Sequence, residues 1–476
     1  MRFKNLTPGE GCPMQSQEIH QYWSSRFAFL LAAIGAAVGL GNFWRFPYMA
    51  GANGGGAFVL IYVLCVLAIA LPILMAELVI GRRGGLSAIG STRKLALDEG
   101  HSAAWSLIGW VGMIGSFLIL TFYSVIAGWI IAYIPMAGSG VFDGVTAETS
   151  EAAFDDLLSN PLVLAICHST FMALTVFIVA RGLHRGIELA VQILMPLFFI
   201  MLIGVVVFSW IAGDVRSGLT FLFSPDFSKI SVEVVLQAIG QAFFSIGVGA
   251  AIMITYGAYL PRDTRIPQAS LIIVLSDTGV AILAGIAIFP IVFAFGLDPA
   301  QGPGLIFVTL PIAFGQMPFG QVYGTVFFVL ALFAALTSSI SLLEILVYWG
   351  EEHRGWRRRA TAIYAGTAAW FIGLASVFST NIWSGYYPLG MFDVFREKTI
   401  FDLLDYITAN FMLPLGGILV SVFAGWLLSR QLTLDELGMS DGPLFKTWRF
   451  LLRYVAPICV GAVLLYLTGI ADFWNK

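Results

Sequence analysis

Charge is the scarcest property of this sequence. Asp, Glu, Lys and Arg make up 11% of its 476 residues, against 58% hydrophobic, and the mean hydropathy is +0.87. That is far too little polar material to cover a soluble globule of this size, and it implies a polytopic membrane protein. The net charge of -3 carries no nucleic-acid signal. Cysteine and histidine are also few. Cys12, Cys65, Cys167 and Cys459 and the five histidines are scattered without metal-ligand spacing, which argues against zinc and against a disulfide framework. There is no His-Glu-x-x-His and no Gly-x-Ser-x-Gly, and His168-Ser169 is too isolated to suggest a catalytic pair, so no enzyme and no organic cofactor is expected. The polar stretch from Met1 to about Gln21 lacks the apolar core of a signal peptide, so the first span should itself direct insertion. No linker or composition shift divides residues 1–476, and a single integral domain is expected.

What the sequence has in abundance is apolar runs of about 20 residues, the length that crosses roughly 30 Å of hydrocarbon. They fall near 24–51, 56–80, 104–135, 161–180, 187–212, 232–260, 267–296, 321–349, 360–379, 401–429 and 447–471, about eleven spans. Basic residues cluster in alternate connections, at Arg82, Arg83, Arg93 and Lys94, at Arg181 and Arg185, at Arg262 and Arg265, at Arg354 and Arg357 to Arg359, and at Arg430, Lys446 and Arg449. Those connections are assigned to the cytoplasm. The connection at 136–160 carries Asp143, Glu148, Glu151, Asp155 and Asp156 without Lys or Arg. With eleven spans, the N-terminus is cytoplasmic and the C-terminus outside.

Two spans contain residues that a membrane helix avoids. The first carries Gly35, Gly39 and Gly41, followed by Asn42 and Arg45, and it is expected to be broken there. Unwound backbone survives at membrane depth only where protein covers it or where it lines a polar cavity that can hold a ligand or ion. The sixth carries Ser245-Ile-Gly-Val-Gly-Ala-Ala251 at the corresponding depth, five helices later. Paired breaks point to a transporter built from inverted repeats, with repeats at about 24–212 and 232–429 and an extra helix at about 447–471. Close helix packing is the alternative explanation of the glycines.

The run Gly39-Leu-Gly-Asn-Phe-Trp-Arg-Phe-Pro47, with Asn53-Gly-Gly-Gly-Ala-Phe58 and Glu77 ahead of Gly81-Arg-Arg-Gly84, resembles the neurotransmitter:sodium symporter family, nearest to its bacterial amino-acid members. Tyr123 to Trp129, Gly240 to Ser245, Thr255-Tyr256 and Leu336 to Ile340 follow in the expected order. The resemblance implies an all-α fold with 5+5 inverted repeats, broken helices 1 and 6, and sodium-coupled amino-acid symport across a bacterial cell membrane by alternating access. A member of this fold is a standard example of ligand sites built on broken helices.

The same resemblance assigns residues. One sodium site takes the Ala37 carbonyl, Asn42, Ser245 and Asp277; the other takes the carbonyls of Gly35, Val38 and Ala334 with the hydroxyls of Thr337 and Ser338. Hydroxyls in Thr337-Ser338-Ser339 could instead bond back to their own helix. Asp277 implies chloride independence, because an ionised carboxylate there balances sodium charge; a neutral buried acid is the alternative. Gly39 leaves room for a substrate carboxylate, which would take amides near Leu40 and Gly41 and the Tyr123 hydroxyl. Carbonyls around Ala37, Phe244 and Ser245 would accept from the ammonium. Ile119, Phe244, Gly247, Ala250, Ser338 and Leu342 form the side-chain subsite, and the small Gly247 and Ala250 imply a wide pocket for large neutral, aromatic or aliphatic side chains. Refilling by neighbouring side chains is the competing expectation.

Arg45 and Asp405 are implied as an outer gate above Tyr123 and Phe244. Trp23, Arg26, Tyr259 and Glu352 belong to the inner gate, where His20 replaces the arginine of many members. Glu77 braces unwound backbone. Gly186 and Pro196 mark a stretch of the fifth span that would unwind to admit water, or a simple kink. An amino-acid-gated channel or sensor on the same scaffold is the second function considered; sodium-gradient-driven uptake separates the two. The partners expected are a small amino acid, sodium and membrane lipid.

Overall fold

The computed structural model describes residues 22–299 and 304–468, and among them regular structure is entirely helical. His20 and Cys12 lie outside the described residues. The first helix, α1 (Arg26–Ala37), starts on Ser25, whose hydroxyl accepts the Ala28 N–H, and it stops at Val38, where ψ swings to 107°. It resumes as α2 (Gly41–Ala52), bent 49° from α1. The break is shorter than the glycine content suggests: Gly35 is still helical, and only Val38, Gly39 and Leu40 lie between the halves.

There follow α3 (Gly56–Gly84), the short α4 (Ala88–Asp98), α5 (Ala103–Gly138), α6 (Ala147–Ser159), α7 (Pro161–Ala180) and α8 (Leu183–Ala212). α6 occupies the acidic connection; Thr146 and Thr149 cap it reciprocally, a feature the apolar-run count passes over. After α9 (Val215–Phe223), the sixth expected span appears as α10 (Val232–Ile246) and α11 (Ile252–Ala258), each too short to cross a bilayer alone. The remainder is α12 (Ile266–Ala294), α13 (Leu305–Gln316), α14 (Gly320–Arg354), α15 (Arg358–Ser379), α16 (Ile400–Leu427), α17 (Arg430–Leu437) and α18 (Pro443–Leu467). Nine helices among the described residues are long and apolar enough to span, or ten with the bent pair α1/α2.

The second break is held in a left-handed turn. Gly247 and Gly249 have φ of 69° and 87°, and Ala251, a residue with a Cβ, sits at 61°. A non-glycine residue there costs on the order of 1 to 3 kcal/mol, so its surroundings must fix it. They do so by contact. A Cβ on Gly112 of α5 would lie 2.4 Å from the Ala251 Cβ, and one on Gly416 of α16 would lie 2.3 Å from the Gly249 carbonyl oxygen. These approaches leave no room for other residues, and they clamp the unwound segment between α5 and α16.

Candidate functional site

α5 presents one stripe of side chains to both breaks. Gly112, Ser116, Ile119 and Tyr123 recur at spacings of four, three and four residues, which places them on one helix face. The Ser116 hydroxyl donates to the Ala250 carbonyl at 2.8 Å in the second break, and the Leu40 N–H in the first break approaches the Tyr123 hydroxyl at 3.5 Å. From α3, fully buried Glu77 accepts the Gly249 N–H at 2.7 Å, so the expected brace is in contact with unwound backbone.

Between the breaks lies a cavity of about 70 Å³. Every residue expected around a substrate lines it: Ala37, Gly39, Leu40, Gly41, Ile119, Tyr123, Phe244, Ser245, Gly247, Ala250, Ser338 and Leu342. Ala36, Ile252 and Leu413 line it as well and were not foreseen; they are ordinary apolar residues, which no motif singles out. Gly39 sits under two hydroxyls, since a Cβ on it would lie 2.6 Å from Ser338 Oγ and 3.2 Å from Tyr123 Oη. A Cβ on Gly247 would meet nothing nearer than Ile252 Cδ1 at 3.8 Å, so the space beside that glycine stays open to contact distance.

Asn42, Ser245 and Asp277 converge at the edge of this cavity. The Asn42 amide nitrogen donates to Asp277 Oδ1 at 2.8 Å and to the Asp277 carbonyl at 3.0 Å, while Asn42 Oδ1 accepts the Gly39 N–H at 3.0 Å. Ser245 donates to Asp277 Oδ2 at 2.7 Å. Asp277 is wholly buried, and no Lys or Arg among the described residues pairs with it. A buried carboxylate held by a hydroxyl and a side-chain amide, with no cationic side chain to balance it, suits a hard monovalent cation.

The second oxygen cluster joins α14 to the first break. Ser338 Oγ lies 3.4 Å from the Gly35 carbonyl, 3.3 Å from that of Val38 and 3.2 Å from that of Ala334. Thr337 bonds only to its own helix, its hydroxyl donating to Phe333 and Ala334 at 3.1 and 3.0 Å. Of the hydroxyl pair, Ser338 both bonds back to Ala334 and reaches the first break, while Thr337 follows the back-bonding alternative alone in this conformation.

Above the small cavity is a larger one of about 380 Å³. Leu40, Gly41, Tyr123 and Phe244 line both and separate them. Arg45 and Asp405 both line the upper cavity without forming an ion pair; the Arg45 guanidinium lies 4.4 Å from the Phe244 ring centroid. Below, the path is closed. Trp23 is 2% exposed, donates Nε1–H to the Tyr256 carbonyl at 3.1 Å and packs edge-on against Tyr256 and Tyr259.

Glu352 accepts the Ser87 N–H at the start of α4, and Arg26 reaches Gln268 at 3.5 Å. The partner expected for Glu352, His20, lies outside the described residues. The buried charges beside Trp23 are others. Tyr259 donates to Glu344 Oε1 at 2.9 Å, and Arg358 pairs with Glu344 and with Glu351. A single acid inside the apolar run Leu343-Glu344-Ile345 was the available signal for this network. Gly186 and Pro196 both lie in wound helix here; a Cβ on Gly186 would stand 2.1 Å from the Ile178 carbonyl, so that glycine packs α8 against α7.

A family model described as the sodium:neurotransmitter symporter family matches residues 20–140 and 153–471. The chain belongs to that family. Its members are sodium-coupled membrane transporters, not enzymes. An uncharacterized sodium-dependent transporter of Bacillus subtilis, YhdH, is 39% identical over 95% of this chain and 98% of its own length. A sodium-dependent transporter of Haemophilus influenzae is 33% identical over 92% of this chain and 96% of its own. Among solved structures, that of MhsT in complex with L-phenylalanine superposes with a TM-score of 0.85 at 41% identity, covering 94% of this chain and 99% of MhsT. The family match, with its multi-pass helices, makes this a sodium-dependent transporter of the membrane.

Proposed function

We propose that the protein is a chloride-independent symporter of a large neutral amino acid, driven by sodium at two sites, in a bacterial cell membrane with its N-terminus in the cytoplasm. One observation carries the reading: a cavity between two helix breaks, whose lining residue Ser245 holds a buried carboxylate with no cationic partner. In this reading amides near Leu40 and Gly41 and the Tyr123 hydroxyl hold the substrate carboxylate, and the Ala37 carbonyl, Asn42, Ser245 and Asp277 hold one sodium ion beside it. Gly35, Val38, Ala334 and Ser338 offer oxygens for the second, with Thr337 joining by a rotamer change. The two halves about 24–212 and 232–429 act as inverted repeats, with Arg45 and Asp405 gating the outer path, and Trp23, Tyr259 and the N-terminal segment gating the inner one.

The preference for large side chains draws on Gly247 and Ala250 and on the likeness to MhsT, whose structure holds L-phenylalanine. With Ile252 and Leu413 turned in, the cavity of about 70 Å³ is small, so an aromatic ligand requires those branched side chains to move. Each buried methylene gains roughly 0.8 kcal/mol, which favours bulk once they do. Charged side chains find no counter-charge in the subsite and bind poorly.

The test is sodium-dependent binding of tryptophan, leucine, alanine and glycine to purified protein and to Ala250→Phe, with gradient-driven uptake in vesicles. Tightest binding of glycine or alanine would overturn the size preference. Uptake that ignores the sodium gradient would overturn symport and favour a channel.

A further inference from the structure

One connection on the side of the upper cavity is built unlike its neighbour. From Thr380 to Phe395, on the way from α15 to α16, the single charged residue is Asp393, and Trp, Tyr, Phe, Ile and Met dominate. The connection at 136–160, which reaches the same cavity through Phe154, carries five acids instead. The apolar side chains of 380–395 are not folded inward. Ile382 is 66% exposed and Met391 80%, and Trp383, Tyr386, Phe392 and Val394 are exposed with them. An apolar patch of this kind marks a surface that something covers, a partner or a membrane.

Helix length sets the height of the patch. α15 has 22 residues, which at 1.5 Å each makes about 33 Å against roughly 30 Å of hydrocarbon. A chain leaving it at Ser379 therefore emerges where acyl chains give way to headgroups, not beyond them. Laterally the patch sits at the rim. α15 turns Tyr364 and Phe371 outward, and α18 turns out Ile458 and Leu465, side chains that lie at membrane depth and face lipid. The loop joins these two helices: Phe395 packs edge-on against Tyr406 at 5.4 Å, and the Tyr406 hydroxyl donates to the Leu467 carbonyl at the end of α18. Turn hydrogen bonds hold the loop in shape. The Trp383 N–H returns to the Phe378 carbonyl at 2.8 Å, that of Tyr386 to Trp383 at 2.9 Å and that of Phe395 to Phe392 at 2.9 Å. Asn381 donates to the Leu158 carbonyl of α6 at 2.9 Å, and the Phe401 N–H meets Ser379 Oγ at 3.3 Å, which brings the two ends of the loop together. A chain of turns pinned at both ends keeps its aromatic side chains facing out. Trp and Tyr, apolar bodies with a polar tip, suit a half-wet boundary, and Arg396-Glu397-Lys398 follows as a polar margin.

We propose that the loop 380–395 is an interfacial anchor, seated in the headgroup boundary of the leaflet on the upper-cavity side, with Ile382, Trp383, Tyr386, Met391, Phe392 and Val394 against lipid. Its partner is the lipid surface itself, and the seat depends on the membrane placement of the chain, not on which solute is carried.

Spin labelling of the full-length protein in bilayers of phosphatidylethanolamine and phosphatidylglycerol tests this. Nitroxides are placed singly through Tyr386→Cys, Phe392→Cys and Val394→Cys, with Cys12, Cys65, Cys167 and Cys459 changed to alanine. Each label's collisions with oxygen, which concentrates in lipid, are compared with its collisions with a water-soluble nickel chelate. Phe371→Cys on α15 supplies the lipid reference and Glu397→Cys the water reference. The oxygen-to-nickel ratio at the three loop positions is expected to exceed that at 397 by about threefold or more and to stay below that at 371, as a shallow seat requires. Ratios equal to that at 397 put the loop in water and overturn the anchor. Few collisions with either reagent mean that protein covers the loop, a second copy if the labels broaden one another, and overturn it as well. If the cysteine-free background does not fold, wild type and Trp383→Phe carry the test: lipid brominated just below the headgroup should quench a smaller share of the tryptophan fluorescence in the variant. An unchanged share overturns the anchor.

Discussion

Neutralising Asp277 should cost sodium affinity and leave a chloride requirement in its place. The carboxylate is wholly buried and is held by Asn42 at 2.8 Å and Ser245 at 2.7 Å, with no cationic side chain paired to it. Two unit charges 4 Å apart interact by about 4 kcal/mol at an effective dielectric of 20, which bounds what removing the charge can cost a bound cation. The asparagine amide still offers an oxygen, and the wild-type ion pair gives up part of its attraction to desolvation, so about 2 kcal/mol is the lower figure. At 1.4 kcal/mol per decade, Asp277→Asn should weaken sodium binding by between about 30-fold and about 700-fold. The assay is a sodium titration of amino-acid binding, in chloride and again in gluconate, with thermal unfolding as the control for folding. Wild type should be indifferent to the anion. The variant should bind more tightly in chloride than in gluconate, or lose uptake altogether. Wild-type uptake that falls several-fold in gluconate, or a variant whose sodium titration matches wild type, refutes the reasoning.

Three further outcomes follow from the same geometry. Asp405→Asn should slow uptake while leaving equilibrium affinity within about tenfold, because Asp405 lines the upper cavity and not the lower one; complete loss of binding in folded protein would contradict a gating role. Gly39→Ala puts a Cβ 2.6 Å from Ser338 Oγ and 3.2 Å from Tyr123 Oη, so substrate affinity measured by sodium-dependent binding should drop at least about tenfold, with an overpacking cost to stability of about 1 to 3 kcal/mol. Glu344→Gln leaves Arg358 without its most buried partner and should destabilise by about 3 to 5 kcal/mol; thermal unfolding in detergent should show Glu344→Gln/Arg358→Met recovering part of that loss.

The spans were legible because bilayer thickness imposes one length on every crossing, and the expected ends fall within a few residues of the helices observed. The breaks were legible because glycines recur beside Asn42 and Arg45 in the first span, and again after Ser245 in the sixth, residues that a membrane helix avoids. Their extent was not, since Gly35, Ser245 and Ile246 keep helical hydrogen bonds and only neighbouring packing decides where winding stops. The pocket residues were found through motif likeness, and the cavity brings all of them together. What linear sequence withheld were pairings across long separations. Glu188 with Ser24, Glu344 with Arg358 and Arg82 with Glu436 each join residues whose partner no local pattern names. Glu352 joins that group, since it accepts the Ser87 N–H at the start of α4.

Ser245 is where the two proposed roles of the site meet. It is the residue of the second helix that touches Asp277, and it also lines the small cavity, so a ligand there and a cation beside the carboxylate compete for, or share, one hydroxyl. Asn42 does the same from the first helix, its amide spanning from Asp277 to the Gly39 N–H at the cavity floor. The two side chains also meet, Asn42 Nδ2 donating to Ser245 Oγ at 3.2 Å, and that contact requires the two breaks to face each other. A cation that draws Asn42, Ser245 and Asp277 together therefore also fixes the spacing of the breaks, and with it the shape of the pocket. Cavity and carboxylate depend on each other because the same two side chains are held at both ends, and under the proposed function that shared dependence would let a sodium gradient do work on a bound amino acid.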